Sequence, residues 1–311
     1  MTERTSAGRA ARIASVNFDY AAQPRESVEK CNLCGRSQFV VVSHRDRYGF
    51  PAEAHACAAC GLVFLNPRLT AAAYGRFYES VYRPLVSAFH GRPIDAKTIQ
   101  PEQAHYAAER IEFLRPFVSS THASLLDIGG STGVVAARVA REFQLAATII
   151  DPAPPEVEEA RRQGVETLSG MVEHHEFGDR RFDVVLLCQT VDHLLNISAT
   201  IRHLRSLLNP HGVLFVDIVD FRAAYLRGWS VEDAIKIDHP YYLTDSTMTA
   251  LLARAGFEVM RSDYAQDHLH IGYVCRPGEP STASLPDPAG VQDLFREVRL
   301  VQNTPGRAVD A

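Results

Sequence analysis

The sequence predicts an α/β protein with a mostly parallel sheet, preceded by a small cysteine-rich domain. At residues 125–133, LLDIGGSTG, a short apolar run ends in an acid and a glycine-rich turn, and a helical pattern follows directly. Apolar strands then alternate with amphipathic helices up to residue 276, which is typical of a parallel sheet covered on both faces. Two C-x-x-C pairs lie upstream and indicate a metal-stabilised module.

Composition restricts the class of protein. With 46% hydrophobic and 22% charged residues, the 311-residue chain has the composition of an ordinary globular protein, and its net charge of −5 argues against a nucleic-acid surface. No apolar run is long enough to span a membrane, and the N-terminus has arginines without an apolar signal core. We therefore expect a cytoplasmic protein whose six cysteines are thiols or metal ligands.

Changes of pattern along the chain suggest five segments. The first is small, polar and unpatterned, and the last is rich in Pro, Gly, Ser and Asp with one helical stretch near VQDLFREVRLVQ. The predicted segments are a flexible N-terminus (1–26), a zinc ribbon (27–68), a helical linker or lid (69–118), the α/β domain (119–277) and a C-terminal tail (278–311).

The cysteine pairs have the spacing of a zinc ribbon. Each pair is followed at once by glycine, Gly35 or Gly61, which relieves the tight turn that aims backbone N–H groups at the sulfurs. Four thiolates complete a tetrahedral Zn²⁺ site with no open position, so the metal would be structural. The alternative, a pair of redox motifs, lacks a neighbouring βαβ pattern. The predicted ligands are Cys31, Cys34, Cys57 and Cys60.

Two helices are predicted between the ribbon and the sheet. AAAYGRFYESVYRPLV carries an aromatic stripe at helical spacing, and PEQAHYAAERIEFLRPFV begins with Pro101 in a first-turn position. Their main role is packing, while Tyr82, Gln103 and Tyr106 are candidates for a lid over a ligand.

The predicted sheet continues with AATIID, which ends at Asp151, then with VETLSG, RFDVVLLCQT and GVLFVDIVD. Pro210 and Gly212 are expected to end the helix SATIRHLRSLLNPHG. The last two strands are joined by a tight turn, so one of them must run antiparallel to its neighbour.

The glycine spacing at residues 129–133 is not that of a dinucleotide-binding G-x-G-x-x-G turn.

Residues 100–276 resemble the class I S-adenosylmethionine (SAM)-dependent methyltransferases, which have a Rossmann-like seven-stranded sheet. LLDIGGSTG looks like the first motif of that family, although Ser131 stands where glycine is more usual. Asp151, 24 residues after Asp127, looks like its ribose-binding acid. RFDVVLLCQTVDHLLN and LLNPHGVLFVDI match the fourth and fifth strands. The cofactor residues that we expect are Asp127, Gly129, Gly130, Ser131, Gly133, Asp151, Met171 and Gln189.

The order of ribbon, Tyr-rich helices and SAM domain also resembles a narrower subgroup of sugar, polysaccharide and natural-product methyltransferases. Its C-methyltransferases carry a further C-terminal domain for which the tail from residue 278 is too short.

Transfer to oxygen or carbon requires a group that takes a proton. His193, after the fourth strand, is our first candidate for the general base, and His239, in the long insertion after the fifth strand, is the second. Each candidate has a structural alternative. For His193 the alternative is a surface or helix-capping histidine, and for His239 it is a turn fixed by Pro240. His268 and His270 on the last strand alternate to one face and are further candidates.

The sequence therefore predicts a SAM-dependent methyltransferase for a small molecule such as a sugar, a sugar nucleotide or a natural-product intermediate. Two alternatives stay open. One is an RNA base methyltransferase, because some of these also place a zinc ribbon before the same fold. The other is a non-catalytic zinc module that binds SAM.

Overall fold

The computed structural model describes residues 2–282 and 285–304, with side chains from residue 8 onward. Within these ranges, no helix combines the length and the apolar character that crossing a membrane needs. The helices are α1 (Thr2–Ala14), α2 (Ala71–Ser80), α3 (Tyr82–His90), α4 (Gln100–Leu114), α5 (Val134–Phe143), α6 (Pro154–Arg162), α7 (Ile197–Leu207), α8 (Phe221–Gly228), α9 (Val231–Ala234), α10 (Asp245–Arg254) and α11 (Pro288–Asn303).

Two short 3₁₀ helices, Val172–His174 and Val191–His193, follow strands of the main sheet. The strands are β1 (Arg25–Glu26), β2 (Phe39–Ser43), β3 (Ala54–Cys57), β4 (Val63–Leu65), β5 (Arg68–Leu69), β6 (Ser124–Ile128), β7 (Ala146–Asp151), β8 (Glu166–Ser169), β9 (Phe182–Leu187), β10 (Leu208–Val219), β11 (Tyr241–Tyr242), β12 (Phe257–Tyr264) and β13 (His270–Pro277).

The chain divides into two compact units, each made of separate segments. Unit 1 contains the described residues up to 92, residues 219–250 and residues 285–304, and unit 2 contains residues 93–218 and 251–282. The units do not coincide with the segments predicted from the sequence. The insertion after the fifth strand and the C-terminal helix α11 both belong to the same unit as the cysteine-rich segment.

Unit 2 holds the seven-stranded sheet in the order β12-β13-β10-β9-β6-β7-β8. β6, β7, β8, β9 and β10 pair in parallel, and β13 runs antiparallel to β12, as the tight connection predicted. Strands β6, β7, β9 and β10 are buried along most of their length. Their core includes Leu125, Ile149, Val184 and Val213 from the strands, with Val139 from α5.

Unit 1 is built on a four-stranded sheet in the order β11-β4-β3-β2. The two-residue strand β11 comes from the insertion and pairs antiparallel with β4, Tyr241 opposite Phe64. The hydroxyl of Tyr74, on α2, donates to the carbonyl of Ile237 at 3.0 Å and holds the insertion further. The long insertion after the fifth strand thus has a structural role within unit 1.

Three predictions about helices differ from the structure. Helix α7 ends at Leu207, so Pro210 and Gly212, expected to end it, lie in β10. The first linker helix is two helices, since α2 ends at Ser80 and α3 begins at Tyr82. Pro84 has no N–H to donate to the carbonyl of Ser80, so a continuous helix would lose a bond there. The N-terminal segment, expected to be loosely ordered, contains α1, where Ile13 is buried and Arg12 Nε donates to the carbonyl of Ala88 at 2.8 Å.

Candidate functional site

The turn after β6 is shaped by left-handed backbone. Gly129 and Gly133 have φ values of 66° and 73°, and Ser131 reaches 49° despite its side chain. A Cβ on Gly129 would lie 2.5 Å from Thr190 Oγ1, so only glycine fits at that position. The turn leads directly into α5, whose N-terminal N–H groups face the carboxyl edge of the sheet.

Asp151, the last residue of β7, is tied to that turn. One carboxylate oxygen accepts the backbone N–H of Ser131 at 2.9 Å, and the other accepts that of Ala153 at 2.8 Å. The carbonyl of Asp151 accepts the N–H of Gly170 at 3.0 Å, which brings Met171 next to the end of β7. All eight residues predicted to bind the cofactor lie in unit 2, at or just beyond the carboxyl ends of β6, β7, β8 and β9.

Three buried oxygen atoms in this region have no hydrogen-bond partner among the described residues. They are both carboxylate oxygens of Asp127 and the hydroxyl of Ser131. Burial raises the pKa of Asp127 to about 7, although Arg110 acts in the opposite direction. A buried carboxylate without a donor is costly, so this arrangement suits a cationic or hydrogen-bond-donating ligand.

Gln189 follows β9 in a strained conformation, with φ 49°. Its backbone N–H donates to Asp217 Oδ1 at 2.5 Å, at the end of the neighbouring strand β10. The other oxygen of Asp217 accepts from Arg110 Nη2 at 2.5 Å and Nε at 3.0 Å, and both residues are only 5% exposed. Burial alone would lower the pKa of Arg110, but the Asp217 carboxylate raises it, so the guanidinium stays charged.

Helix α4 supplies side chains to the same edge of the sheet. Thr132, in the turn after β6, donates from its hydroxyl to Gln103 Oε1. Arg110 lies under the ring of Tyr106, 5.2 Å from its centroid. Of the three predicted lid candidates, Gln103 and Tyr106 belong to unit 2, and Tyr82 belongs to unit 1.

The two predicted base candidates lie in different units. His193 ends the 3₁₀ helix after β9 in unit 2, and its Nε2 is 4.0 Å from Asp192 Oδ1. His239 is buried in unit 1, where its Nε2 is 3.3 Å from Asp238 Oδ2 and 3.4 Å from Lys236 Nζ. Its backbone N–H donates to the carbonyl of Lys236 at 3.1 Å, which closes a turn just before Pro240.

The four predicted metal ligands come together in unit 1. Their sulfur atoms all lie within 4.8 Å of one another. Each pair forms the same knuckle, because Gly35 N–H donates to the Cys31 carbonyl at 2.8 Å and Gly61 N–H to the Cys57 carbonyl at 2.9 Å. The φ values of the glycines, 76° and 74°, match the conformation predicted from the sequence.

Sequence reasoning missed Arg110 and Asp267. Arg110 lies at helical spacing between Tyr106 and Leu114 on a face of α4 that is otherwise apolar, a pattern that indicates a buried and paired arginine. Asp267 lies in a turn of the last hairpin, and only its spacing of three residues from His270 could have drawn attention to it.

Comparison with known proteins identifies the family. A family model described as "Methyltransferase domain" matches residues 99–262, which is more than half of the chain. The ubiquinone biosynthesis O-methyltransferase of Methylobacterium nodulans is 28% identical over 159 residues, covering 44% of this chain and 60% of that protein. The enzyme of the same name from Azorhizobium caulinodans is 26% identical over 153 residues, covering 43% and 58%.

The chain thus spans about 60% of the length of the curated relatives that it matches. Among solved structures, mitomycin 7-O-methyltransferase MmcR is 21% identical with a TM-score of 0.50, over 66% of this chain and 60% of that one. This likeness shows the fold, and the family match is the stronger finding. The chain therefore belongs to the methyltransferase domain family, and residues 99–262 lie in its SAM-dependent methyltransferase domain.

Proposed function

We propose that the protein transfers the methyl group of SAM to a hydroxyl oxygen of a small molecule. The choice of oxygen is supported by the names of the curated relatives, which are O-methyltransferases. A sugar, a sugar nucleotide or another natural-product intermediate is the class of acceptor that the order of ribbon, helices and SAM domain favours.

The unpartnered carboxylate of Asp127 is the observation that carries the cofactor assignment. SAM offers an ammonium group and several N–H and O–H donors, and an ammonium is the natural partner of a buried carboxylate. The Ser131 hydroxyl, also without a partner among the described residues, fits a ligand lying against the turn.

Asp151 is proposed as the acceptor for the ribose hydroxyls. Each of its oxygens accepts one backbone N–H, which fixes the orientation of the carboxylate. A carboxylate accepts hydrogen bonds and the two hydroxyls of a ribose donate them, so the groups match chemically. Met171 and Gln189 would lie beside the adenine and the sulfonium. The bound cofactor supplies an activated methyl group, and the protein orients the reactants and receives a proton.

We further propose that Cys31, Cys34, Cys57 and Cys60 hold a structural Zn²⁺. With Zn–S bonds of about 2.3 Å, a tetrahedral site has sulfurs roughly 3.8 Å apart. Cys31 and Cys60 have their sulfurs 3.5 Å apart, as do Cys34 and Cys57, which is close to that spacing and far longer than a disulfide. Four thiolates leave no position for water or substrate, so the metal would act through stability.

Binding of S-adenosylhomocysteine (SAH), the demethylated form of the cofactor, tests the proposed site. We expect micromolar affinity by titration calorimetry, reduced about tenfold or more in Asp151→Ala, because a hydrogen bond to a charged group contributes about 1.5–3 kcal/mol. Asp179→Ala, at an exposed acid of the same unit, is the matched control. If wild-type protein bound no SAH, or if Asp151→Ala bound it as well as wild type, the assignment would fail.

A further inference from the structure

A histidine that the family match leaves without a role begins the antiparallel strand β13. Its first residue, His270, lines the same cavity as Gln189, just after β9, and Asp217, near the end of β10. The side chain of Gln189, just after β9, is 3.1 Å from His270 Nε2. His270 therefore faces the edge at which open α/β sheets bind their substrates.

Asp267 holds this histidine in one orientation. Asp267 Oδ1 accepts the backbone N–H groups of Leu269 at 2.8 Å and His270 at 3.0 Å, while Oδ2 lies 2.5 Å from His270 Nδ1. Burial alone would raise the pKa of Asp267, but the N–H donors of the turn and the imidazole lower it, so the group is a carboxylate. His268, at φ 52°, provides the reversal that closes this turn.

The orientation fixes which ring nitrogen is basic. A carboxylate only accepts hydrogen bonds, so Nδ1 of His270 must be the donor, and in the neutral ring Nε2 then carries the lone pair. Gln189 Nε2 donates to that lone pair in the absence of an acceptor molecule. A hydroxyl group that displaced the amide would find a nitrogen ready to receive its proton.

The surroundings of His270 match this use. A cavity of about 20 Å³, enough for one water-sized group, is lined by residues that include Gln189, Asp217 and His270. The ring of Tyr106 lies edge-on to the imidazole with centroids 5.8 Å apart. The titratable and charged groups around the histidine are Asp267 in its own turn, Tyr106, Glu109 and Arg110 on α4, and Asp217 on β10.

We propose that His270 is the general base of the transfer and that Asp267 is its positioning residue. This inference rests on the proposed O-methyltransferase function. In the step, the acceptor O–H bond breaks and its proton goes to His270 Nε2. The oxygen forms a bond to the methyl carbon, and the electron pair of the broken carbon–sulfur bond stays on sulfur. The resulting imidazolium faces the Asp267 carboxylate, which stabilises it.

Kinetics of four variants, one of them a control, test the proposal. Catechol serves as a phenolic acceptor and UDP-glucose as a sugar-nucleotide acceptor. With an acceptor that wild type methylates, single-turnover rates should fall on the order of 100-fold in His270→Gln, since a general base contributes about 10²–10⁴. SAH affinity should stay within about twofold of wild type, because the change is on the acceptor side. The control is His211→Gln, an exposed histidine on β10.

The variant Asp267→Asn distinguishes a residue that positions His270 from one that only packs against it. Loss of the carboxylate destabilises the imidazolium, so the acidic limb of the rate–pH profile should move to lower pH while the maximal rate falls about tenfold or more. His193→Gln is measured alongside. If His270→Gln kept the wild-type rate, or if only His193→Gln lost it, His270 would not be the base.

If wild type methylates neither compound, the proposal is tested without an acceptor, by determining which ring nitrogen of His270 carries the proton. In ¹⁵N-histidine spectra of the full chain with SAH, the signals lost in His270→Gln should show a protonated Nδ1 and an unprotonated Nε2 in wild type. A protonated Nε2 with a bare Nδ1 would overturn the proposal. Absence of SAH binding would contradict the proposed function instead, so the two failures are distinguishable.

Discussion

Asp127 places both carboxylate oxygens in the interior of unit 2, 1% exposed and with no hydrogen-bond partner among the described residues. Such a group costs free energy of folding, and Arg110 offsets only part of that cost. Because burial raises the pKa of Asp127 to about 7, the folded protein binds more protons than the unfolded chain between about pH 4 and 7. The contribution of Asp127 to stability therefore falls as pH rises through that range.

Ligand binding should show the opposite trend. An ammonium interacts favourably with the ionised form of Asp127, so SAH affinity should increase from pH 6 to pH 7.5 as the carboxylate loses its proton. Calorimetry in buffers of different ionisation enthalpy should detect proton release on binding at pH 6.5.

Asp127→Asn should lower SAH affinity about tenfold to a hundredfold and remove most of this pH dependence. The same variant should be at least as stable as wild type at pH 8, because it no longer buries a charge. The substitution is thus expected to weaken SAH binding without lowering stability. An Asp127→Asn protein that bound SAH as tightly as wild type would show that the carboxylate has no part in the cofactor site.

At the scale of the element, the turn between β6 and α5 can be tested through its glycines. Gly129→Ala adds a Cβ 2.5 Å from Thr190 Oγ1, whose own hydrogen bond to the Cys188 carbonyl at 2.8 Å restricts its movement. We expect a loss of about 1–3 kcal/mol in the free energy of unfolding, together with weaker SAH binding. Urea denaturation followed by circular dichroism and calorimetry measure the two effects.

Gly164→Ala is the matched control for this prediction. Gly164 also has a positive φ, 79°, but an added Cβ there meets nothing within 4 Å. Gly164→Ala should lower the free energy of unfolding by only about 1 kcal/mol, the cost of a left-handed backbone with a side chain, and should leave SAH affinity unchanged. Equal effects of the two variants on binding would mean that the turn after β6 does not approach the ligand.

Local elements could be predicted from the sequence, and distant pairings could not. The strand, glycine turn and helix at residues 125–143 follow from apolar spacing and φ requirements within a few residues, and both cysteine knuckles follow from C-x-x-C-G. The pair Arg110–Asp217 joins residues 107 positions apart, so no local pattern specifies it. β11 has only two residues, too few to show a strand period, and its partner β4 lies far upstream.

At the scale of the whole molecule, each unit is assembled from segments far apart in sequence. Unit 1 joins the cysteine-rich segment, the insertion and α11, which buries Val291, Phe295, Val298 and Val301. In its four-stranded sheet, β3 ends at the metal ligand candidate Cys57 and β11 is held through β4. If the cysteines bind zinc, the metal should therefore stabilise all of unit 1 rather than the ribbon alone.

Trp229, the only tryptophan of the chain, lies in unit 1 and reports on that unit. Zinc binding to a structural site contributes several kcal/mol or more, so we expect chelation to lower the midpoint of the Trp229 fluorescence transition by about 10 °C or more. Metal analysis should find one zinc per chain in wild type and much less in Cys34→Ser. Cys275→Ala, at a buried cysteine of unit 2, should keep its zinc and its sensitivity to chelator. A Trp229 transition that chelation leaves unmoved, in protein shown to have lost its metal, would mean that the sheet of unit 1 is stable without it.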